Sequence, residues 1–427
     1  MWSLSSQPTQ YAPNRSHSSQ FAERLNVQEP SHKYSDMLIA SSFAAPPSPV
    51  ARAPIEEIDL WDEVVAAVRA EYLSEVQDYP WIIGFSGGKD STVVAQAVFE
   101  ALLQVPPSRR KRHVHVVSND TQVESPLVMA HLAKVQTALR EMAESLRLPV
   151  TVVTTRPAAD KTFWTLLIGK GYPSPNQTMR WCTDRLKIQP TSRYILDNVS
   201  AHGAAIVALG VRLDESDSRR NSINKFQNLA DSNLTPHSEL PGAFIYRPIV
   251  HLTIDDVWGV LGEREPPWGG THRDLIQLYR DAEGGECPVV LSKDEAAGCG
   301  TSNSRFGCWT CTVVEKDKSL QGFVDSGNHH FSALIEFRQW LKDIRNDPRY
   351  RSVERRNGEI RFNPRGEQIQ HVPGPFTIQA RKMILDKLLV TQGIYGDALI
   401  SADEIERIHA IWAEEISRPA KQRGGDI

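Results

Sequence analysis

The chain has 427 residues, of which 40% are hydrophobic, and its formal net charge is −4. This length can bury one large α/β core with appendages, or two domains. The near-neutral charge argues against a protein that binds polyanions over its whole surface. No apolar run approaches the ~20 residues that cross a bilayer, and the N-terminus lacks the pattern of an export signal. We therefore expect a cytoplasmic protein without a membrane segment.

The first part of the chain leads into a nucleotide-binding domain. Residues 1–53 are rich in Ser, Pro, Gln and Ala, which predicts a disordered tail. Apolar residues at helical spacing in residues 56–76 predict an amphipathic helix. The apolar run that begins at Trp81 predicts a buried strand, and a helix that extends to about residue 104 follows a polar turn. We assign residues 54–265 to this domain.

The polar turn after the strand has the composition of a phosphate-binding loop. It consists of Ser86, Gly87, Gly88, Lys89, Asp90 and Ser91. Its glycines free backbone N–H groups for an anion, the opening helix adds its positive dipole end, and Lys89 adds a cation. It is not a Walker A loop, because only three residues separate Gly84 from Gly88 and an Asp follows the lysine. The turn predicts a phosphate site of another kind.

Further strands are predicted at residues 113–117, 150–154 and 205–209, with helices between them, such as residues 126–146. This alternation predicts an α/β fold with a doubly wound, mostly parallel sheet. Open sheets of this kind bind ligands beyond the carboxyl ends of their strands. Asp120, which follows the second strand, is therefore a candidate for contact with a ribose or a metal; helix capping is the alternative.

A second candidate phosphate contact follows the strand at residues 205–209. Arg212 and Arg219 can hold a phosphate bidentately, and Glu215 can fix one of the two guanidinium groups. The alternative is a cluster of ion pairs on the surface. Thr253 is predicted to cap the helix that follows.

The C-terminal part predicts helices and a hairpin. Helices are predicted at residues 331–344, 376–392 and 402–415, and a hairpin at residues 355–370. Residues 338–365 contain eight Arg and one Lys against four acids, which predicts either contact with a DNA backbone or only a solvated face. We assign residues 331–417 to a helical and hairpin region and residues 418–427 to a polar tail.

The cysteines are too few for a disulfide scaffold, but they are clustered. They are Cys182, Cys287, Cys299, Cys308 and Cys311. A C-x-x-C pair with another Cys nine residues earlier, among Gly, Ser, Asn and Arg, indicates thiolates around one centre. Zinc and an iron–sulfur cluster both fit this spacing. We assign residues 266–330 to this cysteine segment.

Five segments of the chain resemble, in order, one known family. They are Ser-Gly-Gly-Lys-Asp-Ser-Thr at residues 86–92, Thr-Phe-Trp through Gly-Tyr-Pro at 162–173, Arg-Trp-Cys-Thr-Asp-Arg-Leu-Lys at 180–187, Gly-Glu-Cys-Pro at 285–288, and Arg-Phe-Gly-Cys-Trp-Thr-Cys at 305–311. Together, over residues 61–392, they resemble the DNA phosphorothioation sulfurtransferases of the DndC type and their SspD relatives. The loop alone resembles the PP-loop of ATP pyrophosphatases and PAPS/APS reductases.

The resemblance implies a fold and a ligand set. The fold would be adenine nucleotide alpha hydrolase-like, similar to PAPS reductases, with a C-terminal cysteine-cluster and α+β region. A 4Fe-4S cluster would be held by Cys182, Cys308 and Cys311, with Cys299 as the fourth ligand. Cys287 would be the alternative fourth ligand or a sulfur carrier. Sulfonucleotide reductases keep a nucleophilic Cys near the C-terminus, and none follows Cys311 here, which disfavours a reductase.

The resemblance also implies an activity. ATP and Mg2+ on residues 86–91, with Lys89 and Asp90 as catalytic residues, would adenylate a DNA phosphate, and persulfide sulfur from a cysteine desulfurase would replace AMP. We expect Lys89 and Asp90 to be needed for ATP cleavage but not for folding. DNA and the other proteins of a phosphorothioation system would be partners. The alternatives are tRNA thiolation, sulfonucleotide reduction, and a non-catalytic adapter with a structural metal site.

Overall fold

The computed structural model of the protein describes residues 59–215, 233–282, 306–365 and 368–417. The tails predicted at residues 1–53 and 418–427 lie outside these ranges. Among the described residues, no helix combines the length and the apolar character that a membrane span requires.

A six-stranded sheet lies at the centre of the described chain. Its strands are β1 (Trp81–Gly84), β2 (Val114–Asn119), β3 (Val150–Thr155), β4 (Ala205–Ala208), β5 (Leu234–Pro236) and β6 (Ala243–Tyr246). Their order is β3-β2-β1-β4-β6-β5, and all neighbours are parallel except β5, which pairs antiparallel to β6. The predicted α/β fold with a mostly parallel sheet is confirmed.

The strand order places a topological switch point beside β1. The chain runs from β1 to β2 and β3 on one side and then returns to β4 on the other side of β1. The loops that leave β1 and β4 therefore diverge and open a crevice at the carboxyl edge of the sheet, which is where such folds bind ligands.

Helices flank the sheet and continue beyond it. The α-helices of the described residues are α1 (Leu60–Tyr72), α2 (Lys89–Gln104), α3 (Pro126–Ser145), α4 (Gln189–His202), α5 (Ile254–Glu263), α6 (Arg273–Asp281), α7 (Lys318–Asp325), α8 (Ser332–Ile344), α9 (Ile378–Tyr395) and α10 (Ala402–Ser417). Short 3-10 helices occur at Pro107–Arg109, Ala159–Lys161, His329–Phe331 and Pro348–Tyr350. Apart from the C-terminal hairpin, the helices and strands predicted from the sequence match these elements to within a few residues. Four elements, β5, β6, α6 and α7, were not predicted.

The helix starts follow local sequence signals. Thr253 caps α5, as predicted, and forms a capping box with Asp256. Pro126 occupies the first turn of α3, where its missing N–H has no intrahelical acceptor to lose. Two π-helical turns, Thr165–Gly169 and Thr183–Ile188, were not predicted. Such turns are rare and often occur at functional sites; the second directly follows Cys182.

One hydrophobic cluster extends from α1 to α10, so the C-terminal helices pack on the same core as the sheet. Buried hydrogen bonds join these helices to the first π-helical turn. The Trp412 indole donates to the Ile168 carbonyl at 3.0 Å, and the Arg381 guanidinium donates to the Gly169 carbonyl at 2.7 Å. Arg381 also donates bidentately to Glu415.

The C-terminal hairpin lies further along the chain than predicted. Its strands are β7 (Arg361–Arg365) and β8 (Gln368–Val372), which form a separate two-stranded sheet. The Asn-Gly pair at 357–358, a sequence typical of hairpin turns, instead forms an earlier turn with Gly358 at φ +78°. There the Gly358 N–H donates to the Arg355 carbonyl at 2.9 Å.

Candidate functional site

The predicted phosphate loop (residues 86–91) connects β1 to α2 at the switch point and is closed by its own residues. The Ser86 N–H donates to the Ser91 hydroxyl oxygen at 3.2 Å, and the two hydroxyl oxygens are 3.0 Å apart. The Ser91 hydroxyl also donates to the Gly88 carbonyl at 3.0 Å. Gly87 has φ +76°, a conformation that side chains with a Cβ rarely adopt. Local chemistry therefore sets the shape of the loop.

The loop that follows β4 touches the first turn of α2. A Cβ on Gly210 would lie 2.8 Å from the Asp90 carbonyl carbon and 2.9 Å from the Ser91 nitrogen, so only glycine allows this contact. The sequence analysis missed Gly210, although a glycine directly after a strand that ends at a ligand edge is a signal for close backbone approach.

A buried charge cluster joins the loop to the chain that follows β4. The Asp90 carboxylate accepts from Lys89 Nζ at 2.9 Å and from Arg212 Nε at 2.5 Å. Burial lowers the pKa of Lys89, and the charges of Asp90 and Glu215 oppose that shift. Arg212 is only 3% exposed, so the alternative of a surface ion-pair cluster is wrong for this residue. Its anchor is Asp90, which the sequence analysis did not expect.

Arg212 fits an anion because its guanidinium is incompletely paired. Its Nη1 is buried without a hydrogen-bond partner, and the Asp214 carboxylate oxygen lies 3.7 Å from it, beyond hydrogen-bond distance. A buried N–H without an acceptor is costly, and a phosphate oxygen over the N-terminus of α2 would supply one. Arg219, the other predicted contact, lies outside the described residues.

Asp120 lies at the same carboxyl edge, but its carboxylate has local partners. It accepts from the Gln122 N–H at 2.9 Å and from Arg156 Nε at 2.9 Å. The alternative of helix capping is wrong, because the residue that caps α3 is Ser125. Contact with a ribose or a metal stays a prediction, and it would require the exposed Arg156 to give way.

Tyr279, on α6, was missed by the sequence analysis. Its hydroxyl accepts the Lys89 backbone N–H at 3.2 Å, directly above the phosphate loop. Its ring makes edge contacts with Trp258, with centroids 5.1 Å apart, and with Phe306, at 4.5 Å. No sequence signal marks it, since a Tyr at an apolar helix position is an ordinary core residue.

The cysteine turn (residues 308–315) lies against the chain that leaves β2. Cys308 forms an antiparallel bridge with Glu124, and its sulfur is 3.6 Å from the Thr121 hydroxyl oxygen. The Cys311 N–H donates to the Cys308 carbonyl at 2.9 Å, which closes the C-x-x-C segment into a turn. Lys187, in the second π-helical turn, pairs with Glu124 at 3.1 Å.

Cys182 and Cys311 are partly exposed and lie close enough to interact electrostatically. Burial raises the pKa of Cys182 to about 11, and the neighbouring Cys311 adds to the rise. Burial also raises the pKa of Cys311, while the N–H groups of Val313 and Val314, which donate to its sulfur, oppose it. Both shifts favour the protonated thiol over the thiolate, which is the form that binds a metal.

The described cysteines fit part of a metal site. Paired thiols with N–H donors to sulfur suit an iron–sulfur cluster. Among the described residues, however, no three Cys, His, Asp or Glu side chains form a group that could hold a metal. Cys287 and Cys299, the candidates for carrier and fourth ligand, lie outside the described ranges.

Two arginines of the Arg-rich run at residues 338–365 hold the cysteine turn. Arg338 is 2% exposed, and its guanidinium donates to the carbonyls of Cys311, Val314 and Glu315. Arg345 donates to the Thr312 carbonyl at 3.0 Å. A third arginine, Arg351, donates to backbone carbonyls further along the chain. A solvated face is therefore wrong for Arg338, which is buried, and contact of the other arginines of the run with DNA stays a prediction.

The sequence of residues 80–314 matches the phosphoadenosine phosphosulfate reductase domain, over more than half of the chain. The chain belongs to this family. The match to the phosphoadenosine phosphosulfate reductase domain includes the phosphate loop, Cys182 and the C-x-x-C pair, but it ends before Arg338 and Arg345. Arg338 and Arg345, which hold the cysteine turn, therefore lie outside the residues that match the family.

Among solved structures, the chain is similar to Candida glabrata FMN adenylyltransferase (10% identity, 52% of this chain and 59% of that one, TM-score 0.29). It is also similar to the Candida auris PAPS reductase in a phosphate complex (12%, 47% and 78%, 0.30), and to the U34-tRNA thiolase NcsA from Methanococcus maripaludis with its 4Fe-4S cluster (13%, 66% and 79%, 0.32). The chain thus spans only about 60% of the adenylyltransferase. These weak likenesses carry no conclusion about activity. No curated protein sequence matches the chain.

Proposed function

We propose that this protein is an ATP-dependent sulfurtransferase that adenylates a DNA backbone phosphate and helps to replace a non-bridging oxygen with sulfur. The phosphate loop, the N-terminus of α2 and the incompletely paired Arg212 support a site for the pyrophosphate end of ATP. The choice of DNA as acceptor rests on the resemblance of the sequence motifs to the DndC-type enzymes.

One observation carries the sulfur-transfer part of the proposal: the thiols and the phosphate loop share one edge of the sheet. The phosphate loop leaves β1, and the cysteine turn pairs with the chain that leaves β2, the adjacent strand. The Tyr279 hydroxyl also bonds to Lys89 in the phosphate loop, and its ring contacts Phe306, which lies two residues before Cys308. A nucleotide-activated group and a sulfur centre would then be close neighbours, as a transfer reaction requires.

The proposed reaction has two steps. A non-bridging DNA oxygen attacks the α-phosphorus of ATP, and pyrophosphate leaves; Lys89 and Arg212 neutralise its charge, and a Mg2+ ion would add to this neutralisation when bound. A persulfide sulfur then bonds to the DNA phosphorus, and AMP leaves with that oxygen and the bonding electron pair. A second thiol cleaves the S–S bond, so that the sulfur stays on DNA and a disulfide forms between the two thiols. Adenylation is needed because a bare phosphate oxygen is a poor leaving group.

Cysteine residues have two proposed roles. Cys182, Cys308 and Cys311, with Cys299, would hold a 4Fe-4S cluster, which supplies a redox-active centre when bound. Cys287 would carry the persulfide sulfur. A cysteine desulfurase would donate the sulfur, and other proteins of a phosphorothioation system would select the DNA.

The test compares the wild-type protein with Lys89→Ala in the presence of ATP, Mg2+, a cysteine desulfurase with cysteine, a thiol reductant, and either duplex DNA or tRNA. Pyrophosphate release is measured directly, and nuclease digests are analysed by mass spectrometry. We expect phosphorothioate dinucleotides from DNA with the wild-type protein. We expect neither pyrophosphate nor modified DNA with Lys89→Ala.

Other outcomes assign the protein elsewhere. Thiolated nucleosides in tRNA with unmodified DNA would identify a tRNA thiolase. Binding of ATP without pyrophosphate release under any condition would support the alternative function, a non-catalytic adapter that binds nucleotide. Stoichiometric zinc without iron after anaerobic purification would reject the 4Fe-4S cluster while leaving the adenylation step standing.

A further inference from the structure

The Tyr279 hydroxyl lies where an anion would bind. It accepts the Lys89 N–H at 3.2 Å, in the first turn of α2. A Cβ on Gly88 would be 3.2 Å from the same oxygen, so the hydroxyl lies directly over the start of the helix. The residue is 5% exposed, and its ring is held between Trp258 and Phe306.

The first N–H groups of a helix have no intrahelical acceptor and are the donors that an anion uses. In the absence of a ligand, the phenol oxygen of Tyr279 gives one of these donors a partner. A phosphate oxygen is the stronger acceptor, since hydrogen bonds to charged groups contribute about twice as much as those between neutral groups. Arg212, buried beside Asp90 with Nη1 unpartnered, is a second donor that a phosphate oxygen would satisfy.

We propose that the Tyr279 hydroxyl is an internal stand-in for a nucleotide phosphate oxygen. It holds the Lys89 N–H while the site is empty and gives it up when the pyrophosphate end of ATP binds. The identity of the ligand rests on the proposed function above. Tyr279 thus competes with the nucleotide and sets its affinity, whereas a contact residue would increase that affinity.

The direction of one substitution separates competition from contact. Tyr279→Phe keeps the ring and its packing but removes the competing oxygen that accepts the Lys89 N–H in the empty protein. Removal of one neutral hydrogen bond should tighten binding of ATP, and of inorganic pyrophosphate alone, by about 2- to 10-fold in titration calorimetry. The melting temperature should fall without ligand, and saturating pyrophosphate should abolish the difference from wild type.

Tyr72→Phe is the matched control. Its hydroxyl is also buried and bonded to backbone, donating to the Arg112 carbonyl at 2.7 Å, but it does not touch the phosphate loop. This variant should lose stability without a change in affinity for pyrophosphate, and saturating ligand should not restore its melting temperature to the wild-type value. It shows what the loss of a buried hydroxyl does away from the site.

Each result for Tyr279→Phe decides the proposal. Tighter binding with a ligand-restored melting temperature supports it. Weaker binding would mean that the hydroxyl contacts the nucleotide. Unchanged binding would mean that the hydroxyl takes no part in ligand binding. Either result overturns the stand-in role and leaves the proposed function intact. If the wild-type protein binds neither ATP nor pyrophosphate, both proposals fail together.

Discussion

The phosphate loop and the cysteine turn lie at the same edge of the sheet but are held in opposite ways. The phosphate loop is closed by two of its own serines and a glycine with positive φ. The cysteine turn is held from outside. Arg338, on α8, and Arg345, the residue after α8, donate to its carbonyls. One site is encoded locally, and the other depends on residues about thirty positions away.

This difference explains which features could be predicted from the sequence. The phosphate loop, its strand and its helix were predicted because the glycines, hydroxyls and lysine that mark the loop are consecutive in the sequence. The role of Arg338 could not be predicted, because its acceptors are backbone carbonyls and any residue type can supply a backbone carbonyl. The sequence therefore showed only one more arginine in a charged run. Its acceptors, the carbonyls of Cys311, Val314 and Glu315, would be the same with other side chains.

Asp90 lies in the phosphate loop but also pairs with a residue that is distant in the sequence. Its substitution should give the largest effect on stability. Asp90 is the anchor for two buried cations, Lys89 and Arg212. Asp90→Ala should destabilise the protein by about 3–5 kcal/mol, because it leaves both charges buried without their partner. The earlier expectation that Asp90 is dispensable for folding should therefore fail. Denaturant unfolding monitored by circular dichroism measures the change.

A matched control for Asp90→Ala is Asp274→Ala, which breaks a solvent-exposed pair with Lys134. Exposed pairs contribute about 0–1 kcal/mol, so this variant should unfold close to the wild-type midpoint. If Asp90→Ala is as mild as the control, the buried cluster does not stabilise the loop, and the phosphate site is wholly local.

Arg338→Lys should give the second-largest effect on stability and should affect the cysteine turn without affecting the phosphate loop. A lysine keeps the charge but cannot reach three carbonyls with one planar group, so the cysteine turn should loosen by about 1–3 kcal/mol. Bound iron after anaerobic purification should fall, while the dissociation constant for ATP should stay within about twofold of the wild-type value. Arg349→Lys, at an exposed side chain paired with Asp347, is the control and should change neither.

The fold was easier to predict than the partners of its side chains. The alternation of apolar runs in residues 81–209 indicated the parallel sheet, and the structure bears it out. Tyr279 and Gly210 were missed because their roles arise only when distant segments meet: α6 over the phosphate loop, and the exit of β4 against Asp90. No local pattern records such contacts, whereas the hydroxyl and amide groups of the phosphate loop are all present in six consecutive residues.

Ser91→Ala should give the smallest effect and test whether the two sites are independent. The substitution removes the acceptor of the Ser86 N–H and the donor to the Gly88 carbonyl, and should cost about 1 kcal/mol and weaken ATP binding modestly. Sites without shared partners add to within about 0.5 kcal/mol. The double variant Ser91→Ala with Arg338→Lys should therefore show the sum of the two losses in unfolding free energy. Ser86→Ala with Ser91→Ala, which share a hydrogen bond, should fall short of their sum. If the first pair also departs from additivity, the phosphate loop and the cysteine turn behave as one unit, and the contrast between local and remote support does not hold.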